Sequence, residues 1–170
     1  MGHTTFRAQG RPGGDVAEGD STGGPELERG LSGAWPTLVI LAGVSQSLGG
    51  LRDDMRLWFS MSDHQVRIVL LAKFDRAHST ITLEKWEEES RTRPGAMTTR
   101  SSTVLQPVLR QTITITQDTT THPVACNVVG GALVLAFERL FLRHPGPGEG
   151  DSVLSVPELE RYAKRVWTVL

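Results

Sequence analysis

The sequence predicts an α/β fold: a mixed sheet with one strand–helix–strand crossover and a C-terminal helix. Three observations carry that expectation. "PTLVILAGV" is apolar on consecutive positions, as in a strand covered on both faces, and a helical pattern follows it directly. "TITLEKW" and "RQTITITQD" alternate with period two, the mark of strands with unlike faces. "SVPELERYAKRVW" opens with Ser155 and Glu158 at capping-box spacing, with Pro157 in the first turn, where a missing N–H costs nothing.

In chain order, residues 1–34 are rich in Gly, Pro and small polar types and predict a partly ordered arm, because such a composition buries little apolar surface. A single domain is expected over 35–170, with 170 residues sufficing for one core. Its first strand is Pro36–Val44. Ser45 or Ser47 caps the helix over "LGGLRDDMRLWFS", whose Leu48, Leu51, Met55 and Trp58 make one apolar stripe. "SDH" turns the chain into the buried strand "QVRIVLLAKF", which should run parallel to the first. A short joint then favours an antiparallel hairpin, with Ile81, Leu83 and the Lys85 stem on one face and Thr82, Glu84 and Trp86 on the other. Residues 87–110 and 143–153 read as surface loops, "GGALVLAFERLFLR" as a strand kinked near Glu138, and about five strands are expected in all.

Composition excludes several classes. With 18 basic and 19 acidic residues, the formal charge of -1 supplies no global field toward phosphate or anionic lipid. Cys126 is the only cysteine, so no intrachain disulfide forms; set among alanine and valines in "HPVACNVVGG", it reads as packing. No apolar run reaches a membrane span, and no secretory leader is expected from "MGHTTFRAQGRPGG". An intracellular protein, cytoplasmic or nuclear, is the expectation. The five histidines are scattered without ligand spacing, and no P-loop lysine follows "GVSQSLGG". "EKWEEES" has four acids in six residues, but neighbouring strand residues point to opposite faces and read as a solvated strand end. Arg91, Arg93, Arg100 and Arg110 lie beside Glu87, Glu88 and Glu89, which cancel much of their pull on phosphate, and no aromatics interleave to stack bases.

The run "PTLVILAGVSQSLGGLRDDMRLWFS…VRIVLLAKF…TITLEKW" resembles the core of the Uma-type putative endonucleases, of the PD-(D/E)XK or restriction-endonuclease-like superfamily, across roughly residues 20–86. The resemblance implies an upstream Pro-Asp, a second acid inside the first strand, and a lysine that in many members sits on the following helix. Carboxylate oxygens would hold Mg²⁺, which polarises a phosphodiester and activates water. Carried across, Asp20 matches the upstream acid, with Gly19 in place of the proline. Thr37 stands at the strand's opening Asp, Leu41 at the catalytic Glu, and Asp54 at the migrated lysine. Lys73 and Lys85 are the substitute lysines, and Glu84 a substitute acid. The family's first helix and strand have no counterpart in residues 1–19, so the chain is expected to be a shortened version of a longer protein. A degenerate, catalytically inactive binding or scaffold module follows, taking a protein or nucleic acid partner, without cofactor or membrane. The alternative is a Mg-dependent endonuclease using Asp20 with Glu84.

Overall fold

The computed structural model describes residues 5–7, 16–18, 21–25, 34–92, 103–122 and 124–170. Its main sheet has six strands in the order β3 (Ser21–Gly23), β4 (Leu38–Gly43), β5 (Ile68–Asp75), β6 (Thr80–Thr92), β7 (Thr103–Asp118) and β8 (Ala125–Val129). Only β4 and β5 are parallel, Leu38 beside Ile68 through Gly43 beside Lys73; every other pairing is antiparallel. The sheet is therefore mixed, as the sequence predicts. Two ribbons accompany it: β1 (Thr5–Arg7) with β2 (Val16–Glu18), and β9 (Leu133–Leu135) with β10 (Ser152–Leu154).

Helix α1 (Leu48–Met61) links β4 to β5. Ser47 caps it, its hydroxyl accepting from the Gly50 N–H at 3.1 Å, which steadies a first turn weakened by two glycines. Leu51, Met55, Trp58 and Phe59 are buried and pack with Val39, Leu41, Val69 and Leu71 from the sheet. Trp35 meets Trp58 edge to face, ring centres 5.7 Å apart. Helix α3 (Val156–Val169) covers the opposite face through Leu159 and Ala163, against Ile81, Ile113, Ile115, Phe74 and Cys126. Both arms of its capping box are formed. Two cores thus lie back to back across one sheet. On the face of β7 turned away from α3, Thr112 and Thr116 are exposed, while Ile113 and Ile115 point into the α3 core, which is why "TITIT" alternates.

Four boundaries differ from the sequence reading. Order on the sheet begins before Trp35, because β3 supplies partners to the edge of β4; the Thr37 N–H donates to the Gly23 carbonyl at 3.0 Å. Residues 87–92 and 103–110 are not loop: β6 and β7 pair from Thr80 opposite Thr116 to Thr92 opposite Thr103. Cross-strand hydrogen bonds override the polar composition, and Pro107 fits because β8 pairs only with residues 114–118, so among the described residues that part of β7 has no strand on its other edge. Within 143–153, Ser152–Leu154 is strand β10. The run near Glu138 is no kinked strand: β9 ends at Leu135 and α2 (Phe137–Phe141) follows, its Phe137 N–H held by the Asp151 carboxylate at 2.8 Å. β8, the sixth strand, buries Cys126 and exposes Ala125, Asn127 and Val129.

Candidate functional site

The parallel register places Leu41, Leu71 and Glu84 in one row across β4, β5 and β6, on the face that α1 covers. Leu41 is 4 % exposed and belongs to the apolar core. Glu84 is buried in that core, yet fully partnered. Arg52 of α1 donates to both its oxygens, through Nε at 3.0 Å and Nη2 at 2.5 Å, and the Trp86 indole N–H donates at 2.9 Å. Burial disfavours the charged carboxyl, but the hydrogen bonds from Arg52 and Trp86, with the charge of Arg52, outweigh it and hold Glu84 below the usual carboxylate range. The Glu84 hydrogen bond in turn raises the Arg52 guanidinium, and burial only partly offsets it. The strand alternation marks Glu84 but not this partner; Arg52 lies one turn beyond Leu48 at the flank of the buried stripe, the one signal that it would face the sheet.

The other positions fall into separate surroundings. Thr37, fully buried, ties three elements together: its hydroxyl donates to the Leu140 carbonyl at 2.8 Å, while its own carbonyl accepts from the Arg67 and Ile68 N–H groups at 2.9 and 3.0 Å. The Thr37 hydroxyl is thus committed to holding the fold. Asp54 accepts from Gln46 Nε2 at 2.7 Å. Lys73, at the carboxyl end of β5, donates to the Val44 carbonyl. Lys85 lies on the opposite sheet face, donating to the Val134 carbonyl at 2.8 Å, so it cannot join Lys73 or Glu84 in one centre. Asp20 lies outside the described residues.

Among the described residues no group of three His, Cys, Asp or Glu side chains gathers in metal-binding geometry. Histidines 64, 78 and 144 each face a single acid, Glu88, Asp75 and Glu138 respectively. Burial pushes the Cys126 thiol up, which keeps it protonated and a poor nucleophile. On the α3 face, nearly buried Glu87 is surrounded by Lys85, Arg110 and Arg139 at 3.7, 3.7 and 4.0 Å. Arg110 also reaches Glu89 at 3.6 Å, so it lies between two acids.

No family model matches the chain, and neither a curated protein nor a solved structure does. Among the described residues, no helix is long and apolar enough to cross a membrane.

Proposed function

We propose that this chain is a binding or scaffold module on a restriction-endonuclease-like sheet that does not hydrolyse phosphodiesters. The observation that carries the reading is the state of Glu84: both oxygens are taken by Arg52, one of them also by Trp86, and its neighbours in the row are Leu71 and Leu41. A divalent ion would have to displace a guanidinium and enter an apolar layer, and Mg²⁺ sheds its water reluctantly. A protein partner is favoured over nucleic acid, because Arg110 is spent on Glu87 and Glu89 and the formal charge is -1.

Incubation with supercoiled plasmid and Mg²⁺ or Mn²⁺ tests this directly. The expected result is unnicked plasmid, for the wild-type chain and for Asp20→Ala alike. Nicking that disappears in Asp20→Ala or Glu84→Gln would establish the endonuclease instead. Binding to DNA or RNA whose affinity falls steeply with salt would replace the protein partner with a nucleic acid.

A further inference from the structure

An open cleft of about 520 Å³ lies at the amino ends of β4 and β5, beside α2, lined by Arg67, Glu138, Arg139, Leu142, Arg143 and His144. It is at the other end of the parallel pair from Lys73 and uses none of the residues in the Glu84 row. Four of its six lining residues carry basic side chains.

Their states differ. Arg143 is already engaged: Nη1 and Nη2 donate to the two Glu149 oxygens at 2.6 Å each, and its guanidinium stacks 4.8 Å from the centre of the Phe137 ring. Those hydrogen bonds, with one from the Gly146 N–H, draw the Glu149 carboxyl down to about 2. Arg143 therefore walls the cleft in a fixed orientation. Arg139 is held only loosely, its Nε 4.0 Å from a Glu87 oxygen already shared with Arg110 and with Lys85 nearby. With Glu89 also on Arg110, the three cations Lys85, Arg110 and Arg139 face two carboxylates and still outnumber them. Arg67 is half-buried, its Nε is shut off from solvent, and that nitrogen has no acceptor among the described residues. A buried donor without an acceptor is costly unless a ligand satisfies it or its group.

We propose that this cleft binds a small phosphate-bearing molecule, a phosphomonoester whose phosphoryl oxygens take Arg67 and Arg139 and whose organic part rests on Leu142. Planar guanidinium forks suit phosphoryl oxygens, offering two parallel N–H donors each. A volume of about 520 Å³ is within the range of small-molecule sites and exceeds what a phosphate alone fills. The surroundings select a compact anion over a polyanion. Glu138 lines the cleft beside the arginines, and its carboxylate opposes further phosphates beyond the one seated on them. The site is independent of the nuclease question: it stands whether or not plasmid is cleaved.

Titration calorimetry with inorganic phosphate, phenyl phosphate and a 5′-phosphorylated oligothymidylate tests it on the full chain. Saturable one-to-one binding of phenyl phosphate is expected, tighter than that of inorganic phosphate. Arg67→Gln and Arg139→Gln should each weaken it about tenfold, the scale of losing a charged hydrogen-bonding group. Arg56→Gln, on the exposed side of α1, should leave it unchanged. Should Arg67→Gln fail to fold, Arg139→Gln decides. Absence of saturable binding, or an equal loss in Arg56→Gln, overturns the site. Tighter binding of the oligothymidylate, with a salt slope of several phosphates, overturns the small ligand in favour of nucleic acid.

Discussion

At the scale of single residues, the Arg52–Glu84 pair governs the chemistry of the sheet face under α1. Its carboxylate is 2 % exposed and its guanidinium side chain 38 % exposed, so the two ends of one interaction sit in different dielectric surroundings. Removing Arg52 leaves a buried charge with only the Trp86 N–H. Arg52→Ala is expected to cost about 2 kcal/mol, less than for a fully buried pair because the guanidinium is partly hydrated. Arg52→Ala/Glu84→Leu should recover part of that loss, since no charge remains to bury. The pH dependence carries the sign. With Glu84 lowered in the folded chain, its contribution is complete above about pH 4.5 and is lost as pH falls through the lower folded value. In Arg52→Ala burial is nearly unopposed, so the carboxyl rises and its contribution instead declines as pH rises toward 7. Urea unfolding at pH 4 and pH 7 reads both slopes; equal slopes in the two proteins would remove Arg52 from this role.

At the scale of elements, turns and caps decide where the chain changes direction. Two glycines end β8 and turn the chain toward β9, both with positive φ: Gly130 at 109° and Gly131 at 80°. They are not equivalent. A Cβ on Gly130 would come within 2.3 Å of the Thr112 carbonyl oxygen, whereas one on Gly131 meets nothing within 4 Å. Gly131→Ala should therefore cost only the left-handed backbone penalty, about 1 kcal/mol. Gly130→Ala must also push β8 off β7, and a cost of about 3 kcal/mol or more is expected. Thermal unfolding of the two variants separates them, and equal melting temperatures would refute the close approach. The helix signals at this scale were local and readable: Ser47 before α1, and Ser155 with Glu158 and Pro157 before α3, act within their own turns. The strand over 87–92 was not readable, because "EEESRT" gains its hydrogen bonds from residues 103–108, beyond any local pattern. β8 was hidden for the same reason. Only Cys126 is buried and Val128 half-buried, too little for alternation to register.

At the scale of the whole molecule, one sheet divides two cores that share no side chains. Leu51 belongs to the α1 side and Ile113 to the α3 side, each 1 % exposed. Leu51→Ala should cost about 3 kcal/mol and Ile113→Val about 1 kcal/mol. Because the sheet backbone stands between them, the double variant should equal the sum within about 0.5 kcal/mol. Denaturant unfolding of the four proteins measures this; a larger coupling would mean that the sheet transmits strain from one core to the other. The same division sorts the ionisable groups. Glu84 and Lys73 are on the α1 side and Lys85 and Glu87 on the α3 side, so Glu84 and Lys85, adjacent in sequence, lie on opposite faces and do not meet in one centre.

The sequence by itself determined the period of both long helices, of β4 and β5, and of β6 over 80–86 and β7 over 110–118. It also determined the caps of both long helices, the parallel β4–β5 pair and the absence of a carboxylate at Leu41. Those properties depend on neighbours a few residues apart, where hydrogen-bonding range and side-chain direction follow from the backbone alone. Only the tertiary structure decided which partner neutralises Glu84, that Thr37 is a structural hydroxyl, and that Arg67, Arg139, Arg143 and His144 line one cleft. Arg52 and Glu84 are 32 positions apart, Thr37 and Leu140 are 103 apart, and Arg67 is separated in sequence from α2 by the sheet's long strands. These meetings depend on how the sheet turns its faces toward two different helices. Pairing across such distances is set by the packing of whole elements, and no local pattern encodes it.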